Sequence, residues 1–269
     1  MKKVILIFLY SLSVNFSSQN ITVIYEGKYK SNSNKDYYSN ELFYLDIFDK
    51  ESIFRSDRDR QSDSLIEKTG YGLGFKMSYN NQFYVKKSLS NKEVNKIIST
   101  PFFSDIYSLS IDEILTWSVF PDKLNYGRYD CQKARLFYGG RNWTAWFTQT
   151  IPIQDGPYIF NGLPGLIVKI SDDNSDYEFN LIEVKNEVFS YIPPLKPKNK
   201  IEWETLKKLE IAFYNDPYSE VKARNIRYKN VDQNGNPISI NLKQMTENIQ
   251  RNIRDNNNHI ELNHKIEYK

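Results

Sequence analysis

Few side chains in this 269-residue sequence have types and spacing suited to chemistry. Cys131 is the single thiol, and a nucleophilic thiolate needs a neighbouring base. The two histidines, His259 and His264, lie far away in a closing stretch, residues 255–269, whose Asn-rich, charged composition reads as a frayed tail. Cys131 therefore reads as a small buried hydrophobe. His259 and His264 stand five apart, off a common helical face and without a second cysteine, so no metal site is expected. Asp155, Asp172, Asp173 and Asp176 crowd one region, and paired carboxylates could exchange protons as a hydrolase does. Each occupies a turn-like context, where Asp bonds its own backbone, so the turn role is preferred. No catalytic residue and no cofactor is assigned. The Gly-Tyr-Gly-Leu-Gly spacing of residues 70–74 lacks the Gly-Lys-Ser/Thr ending of a phosphate loop and reads as a turn.

Binding is the stronger case. Trp143, Trp146, Tyr158 and Phe160 cluster in sequence beside Arg141. Trp143 and Trp146 are three apart, so in a strand they point to opposite faces. Either the second face is covered or one Trp lines an apolar groove, which would take a lipid, an apolar peptide or a partner protein. Arg141 follows a glycine pair and either meets an anion at the sheet edge or ion-pairs with Asp130 or Asp155; the structural pairing is preferred.

The elements that must position these residues are mostly strands. Residues 22–29, 41–48 and 52–56 read as a meander, followed by an exposed charged loop over 55–63. Residues 75–79 and 82–87 read as a hairpin about Asn80-Asn81, and Val94, Ile97 and Ile98 as a short helix behind a capping box at Ser90. Residues 102–109 and 115–120 are aromatic runs, with breaks at Pro121-Asp122 and residues 125–127. The clearest hairpin joins 132–138 to Arg141–Thr148 through Gly139-Gly140, a pair suited to a primed turn. Strands at 166–170 and 177–184 are expected to pair. After a proline-rich linker at 193–200, Trp203, Leu206, Leu209 and Phe213 mark one helix and Leu242, Met245, Ile249 and Ile253 another, separated by a turn at 233–237.

Residues 161–170 join a turn to one of these strands. Leu163-Pro164-Gly165-Leu166 fits a type II turn, with Pro second and a positive-φ Gly third. Together these elements predict a mainly β chain with C-terminal helices, α+β in class. The sheet is expected to be antiparallel and curved, a half-barrel like that of periplasmic lipoprotein carriers by analogy of topology alone. Its parts would be a β domain over 20–192, the linker, and a helical segment over 201–269 packed on the sheet.

Aromatic residues make up 15% of the chain, enough for a substantial core, and the net charge of +3 comes from interspersed lysines, arginines and acids rather than a basic patch, which argues against nucleic acid. A single cysteine excludes an internal disulfide. Met1-Lys2-Lys3 followed by a short apolar run over 4–14 and a small, polar stretch over 15–19 reads as a signal peptide spanning 1–19. That run falls short of the roughly 20 residues needed to cross a bilayer, and no later segment does so as a helix.

Residues 130–182 carry a pattern: Asp130-Cys131-Gln132-Lys133-Ala134, Tyr138-Gly139-Gly140-Arg141, Trp143-Thr144-Ala145-Trp146-Phe147-Thr148, Ile151-Pro152-Ile153, Asp155-Gly156-Pro157, Phe160, and Gly162-Leu163-Pro164-Gly165-Leu166-Ile167. This block resembles the GLPGLI family of exported Gram-negative envelope proteins. The resemblance implies export to the periplasm or cell envelope, a β-rich domain and no established activity. Gly162, Leu163, Pro164, Gly165, Leu166 and Ile167 are read as setting the register of the sheet.

Overall fold

The computed structural model describes residues 20–103, 105–186, 196–226, 230–231, 233–234, 236–238 and 241–269. The expected signal peptide lies outside these residues, as do the first three residues of the expected linker.

One 12-stranded open sheet dominates. Its strands are β1 (Ile21–Tyr29), β2 (Ser39–Phe48), β3 (Glu51–Ser56), β4 (Val85–Ser88), β5 (Glu93–Ser99), β6 (Ile106–Ser110), β7 (Ser118–Tyr126), β8 (Tyr129–Tyr138), β9 (Arg141–Thr148), β10 (Leu166–Asp172), β11 (Tyr177–Asn186) and β12 (Asn199–Ile201). The spatial order is β12-β6-β5-β4-β3-β2-β1-β11-β10-β9-β8-β7. The first strand therefore sits mid-sheet, with β2 on one side and β11 on the other. All pairs are antiparallel except β12 with β6, so the sheet is mixed. The helices are α1 (Asp57–Thr69), α2 (Trp203–Asn215), α3 (Ser219–Ala223) and α4 (Leu242–Asp255). The mainly β class with helices mostly C-terminal is what the sequence predicts, and β10 pairs β11 as expected.

Period-two alternation sorts the strands into two faces. One face carries the main core, including Val23, Tyr25, Phe43, Leu45, Phe54, Trp143, Phe147, Val168 and Phe179, all at most 1% exposed. Residues 158–163, α2 and the C-terminal tail cover it, through Tyr158, Phe160, Leu163, Leu206 and Ile260. A smaller cluster of Phe48, Ile53, Tyr84 and Ile97 lies on the other face, where α1 packs.

That helix corrects the exposed loop expected over 55–63. Ser56 accepts a hydrogen bond from the Asp59 amide, Asp57 and Asp59 favour the first turn, and Gly70 closes the helix at φ 80°. Its anchor is ionic: Arg55, fully buried, pairs with Asp63 and with Asp46 at 2.9 Å, and Arg60 reaches Asp46 at 3.0 Å. Tyr84 donates to Asp63 at 2.6 Å. An apolar-periodicity test passes over such a helix because polar side chains hold it down.

The helix expected at 94–98 is strand β5. Ile97 faces the α1 side and Ile98 the main core, so the spacing that resembled a helix serves two sheet faces. Residues 75–79 form no strand. Strand β7 runs on through Pro121-Asp122 because it is an edge strand, where Pro forfeits no ladder bond, and a register shift between Val119 and Lys123 absorbs the ring. Residues 199–200, expected to end a linker, and Ile201, expected to open the helical segment, join the sheet beside β6.

The turn at the hexapeptide also differs from expectation. Gly162, at φ 90°, carries the positive φ, and Gly165 does not. The Gly165 amide donates to the Leu163 carbonyl at 2.8 Å, a three-residue turn about Pro164. Gly165 is required by space: a Cβ there would stand 2.1 Å from the Thr148 carbonyl oxygen. Leu166 then enters β10, its amide bonded to Ile151 at 3.0 Å.

Candidate ligand cavity

The hairpin of β8 and β9 seats the chain segment that lines the site. Gly139 and Gly140 turn at φ 61° and 79°, the primed turn expected of the pair. Their missing side chains also admit a second chain segment. A Cβ on Gly139 would lie 3.1 Å from the Glu261 Cα, and one on Gly140 3.2 Å from the Asn263 amide.

That segment is the C-terminal tail, which is not frayed. Asn258, Ile260, Glu261 and Ile266 are each at most 6% exposed. Arg141 holds it from β9, donating to the Ile260 carbonyl at 3.1 Å, the His259 carbonyl at 2.8 Å and Asn258 Oδ1 at 2.7 Å. The same guanidinium pairs with Asp172 at 2.9 Å and Asp176 at 3.1 Å, and lies over the Tyr177 ring. Arg141 is thus a structural pairing, as preferred from sequence, with Asp172 and Asp176 as partners in place of Asp130 or Asp155. Tyr177 donates to the Asn258 carbonyl, and Asn258 donates to Lys30 at 2.8 Å and Ser31 at 3.0 Å. Polar composition suggested exposure, but here the sheet supplies partners for Asn258 and for the His259 and Ile260 carbonyls.

Glu261 is the hub behind this strap. It accepts hydrogen bonds from Tyr138 at 3.0 Å and from Tyr158, and meets Lys96 of β5 at 3.1 Å. Burial pushes its carboxyl upward, but Lys96 and the two tyrosine donors outweigh that and hold it below the usual carboxylate range. Burial, then the Glu261 charge, pushes both phenols well up, so they remain donors.

Between this hub and α2 lies a cavity of about 120 Å³, lined among others by Lys96, Trp203, Glu210, His259, Glu261 and His264. Trp203 opens α2 and stacks on His264 with centroids 3.8 Å apart. Glu210, one helical turn past Leu206, points the same way as that core residue. It is 8% exposed, and among the described residues no hydrogen bond or ion pair reaches its carboxylate. Burial pushes it up to about 7; Lys96 opposes the rise and Glu261 adds to it. His259 Nε2 is buried without a hydrogen-bond partner. Burial, joined by the charges of Lys96, Lys265 and Arg141, pushes the imidazole down to about 4, so it is neutral near pH 7. The cavity thus gathers an acid titrating near neutrality, a neutral imidazole and a lysine paired to a second acid.

The aromatic residues read as groove candidates sit elsewhere. Trp143, Tyr158 and Phe160 have no exposed surface. Trp143 and Phe160 pack at 4.7 Å between centroids, and Trp143 Nε1 donates to the Tyr138 carbonyl. Trp146 alone faces outward, half-buried, opposite Lys133 and Lys169 on the flanking strands. Tyr158 and Phe160, which the sequence placed as groove candidates, lie instead in the segment 158–163 that covers the core face, and apolar burial is what drives it there.

Asp155 is also structural. Its carboxylate meets Lys87 of β4 at 2.5 Å, both side chains fully buried, and Lys87 donates to the Gly156 carbonyl at 2.7 Å. Burial lowers the Lys87 pKa, with Asp155 opposing. Asp173 makes a half-exposed pair with Arg135 at 2.6 Å. Cys131 is buried, its thiol pushed up chiefly by desolvation. Among the described residues no group of three or more His, Cys, Asp or Glu could hold a metal ion. Sequence reading missed Glu210, Lys96 and Glu261. The one signal was Glu210 on the apolar stripe of α2, four residues after Leu206.

Residues 139–169 match the model of a family described as a protein of unknown function, Porph_ging, a segment that includes the hexapeptide. No curated protein matches the chain. Among solved structures it is similar to PNGF-II in two crystal forms. In space group P21 the TM-score is 0.51 at 15% identity, and in C2 it is 0.52 at 14%. Each alignment covers 72% of this chain and 33% of PNGF-II, so the chain matches about a third of the length of that protein. At such identity the likeness is one of fold. A LolA superfamily protein from Nitrosomonas europaea aligns with a TM-score of 0.25 at 10% identity, over 65% of this chain and 89% of its own, too weak to argue from. No helix among the described residues is long and apolar enough to cross a membrane.

Proposed function

We propose that this chain is an exported, non-enzymatic binding protein of the cell envelope, of the GLPGLI kind, and that its ligand or partner group enters the cavity between α2 and the C-terminal tail. The observation that carries the reading is Glu210: a residue 8% exposed that lines a cavity, its carboxyl without a hydrogen-bond partner among the described residues. Buried polar groups are almost always satisfied, and the exceptions call for a water, an ion or a ligand. The conspicuous acids near the hexapeptide are engaged elsewhere, Asp155 by Lys87 and Asp172 and Asp176 by Arg141. An apolar ligand laid along the aromatic residues has little support, since three of the four are enclosed.

The test is a thermal-shift and NMR screen of the purified chain against cationic, neutral and anionic small molecules, following the Trp203 indole and the His259 ring. Displacement of both signals by one class, lost on Glu210→Gln, supports the reading; no displacement by any class overturns it. Export is tested separately, by N-terminal sequencing of the chain from fractionated cells. Loss of about the first 19 residues in the periplasmic fraction is the expected result, and retention of Met1 there overturns it.

A second reading, an acid–base enzyme, draws on the same cavity, because a carboxyl near pKa 7 suits proton transfer at neutral pH. Against it, the other buried acid of the cavity, Glu261, is held by two tyrosines and a lysine. Turnover of a chromogenic ester or glycoside, abolished by Glu210→Gln, would favour it.

A further inference from the structure

The interior charges of the cavity do not balance, and this indicates what it holds. Lys96 contributes one positive charge from β5, and Glu261 answers it from the tail at 3.1 Å. Glu210, from α2, adds a second carboxylate with no cation hydrogen-bonded to it, and His259 is neutral. Among the buried groups, two acids against one ammonium leave one negative charge whenever Glu210 is ionised. An unpaired buried charge is costly enough that a protein usually neutralises it or supplies a partner. The other charged or titratable groups of the lining are less buried: Glu204 and Lys207 on α2 are exposed, and His264 and Lys265 on the tail are half-buried, Lys265 pairing with Glu267 at 2.9 Å. The Tyr79 and Tyr268 phenols also feel the Glu210 charge and stay neutral.

We propose that the cavity receives one small monocation, an alkylammonium head group, with Glu210 as its counter-carboxylate. The head group arrives on a free amine or at the end of a lysine side chain from a partner. This rests on the binding role proposed for the cavity and specifies its ligand. Size agrees: about 120 Å³ is far below the roughly 300–1,000 Å³ of a drug-sized site, so the cavity takes a head group and leaves the rest of the ligand outside. Because the cation needs the ionised acid, its affinity falls as Glu210 takes up its proton, by up to about tenfold for each pH unit below the Glu210 pKa.

The experiment titrates the Glu210 carboxyl by carbon-13 NMR, assigned with Glu210→Gln, in methylammonium chloride and in sodium chloride of equal ionic strength. The peptide Gly-Lys-Gly and its norleucine counterpart form a second arm. The expected result is a lower Glu210 pKa in methylammonium than in sodium, with displacement of the His259 ring signal that Glu210→Gln abolishes. A response to Gly-Lys-Gly alone also supports the proposal and identifies the source as a side chain. Identical titrations in all four solutions overturn it. If urea or acetate then moves the His259 and Trp203 signals, the binding role stands and only the cationic ligand fails; if no probe moves them, both fail.

Discussion

Replacing Glu210 by Gln should change how stability depends on pH, in a direction fixed by where the carboxyl sits. In the folded chain it titrates at about 7 against an ordinary 4.5, because burial penalises the charged form. The folded state therefore holds this proton more tightly than the unfolded one. The stabilising contribution is complete below pH 4.5 and is lost as the pH climbs through 7. That gap corresponds to about 3 kcal/mol, an upper figure because the cavity opens to solvent. His259 works in the opposite sense. Its folded value of about 4 lies below the ordinary 6.5, so its contribution is present above 6.5 and fades as the pH falls through 4. Between pH 4.5 and 6.5 the two slopes, each up to about 1.4 kcal/mol per pH unit, oppose one another and nearly cancel. Glu210→Gln leaves the His259 slope exposed. Urea unfolding in half-unit steps from pH 4 to 8.5 gives both curves. The difference between variant and wild type should be near zero at pH 4, rise through 4.5–7 in favour of the variant, and level off. Subtraction removes every other titrating group. A difference that stays flat from pH 4 to 8.5, or a variant less stable throughout, would refute the claim that Glu210 is buried without a partner.

Three further substitutions probe the frame that holds the cavity. Gly165→Ala should destabilise severely, since its Cβ meets the Thr148 carbonyl at 2.1 Å; Gly162→Ala, at φ 90° but with open space around it, should cost only about 1 kcal/mol, and the two melting temperatures read side by side decide between steric and conformational causes. Arg141→Met removes the donor that gathers Asn258, His259 and Ile260, and should cost about 3–5 kcal/mol while opening the last fifteen residues to protease. Unchanged protection of that segment would show the strap is held elsewhere. Lys87→Met alone strands Asp155 in the core and should cost a similar 3–5 kcal/mol, whereas Lys87→Met with Asp155→Leu should recover much of it. Equal losses in the single and double variants would count against the pairing as drawn.

The sequence by itself determined the elements with strong local signals. The Gly139-Gly140 hairpin, the β10–β11 pair and the two long C-terminal helices follow from alternation, positive-φ residues and helical spacing, which are properties of a few consecutive residues. It also marked Arg141 as structural, though not its partners. Tertiary structure decided the rest, because the deciding energies act between residues distant in sequence. Helix α1 is polar and is fixed to the sheet through Asp63 on Arg55 and Arg60 on Asp46. Val94, Ile97 and Ile98 fit a helix locally, but β4 and β6 offer them ladders. The tail composition of Asn and charge is normally a sign of exposure, and only the sheet reveals that Arg141, Tyr138, Tyr158 and Lys96 await it. The candidate site belongs to this second kind. Glu210, Lys96 and His259 lie on α2, β5 and the tail, and no local pattern joins them. The Glu210 and His259 pKa values are set first by burial, and burial exists only once the chain has folded.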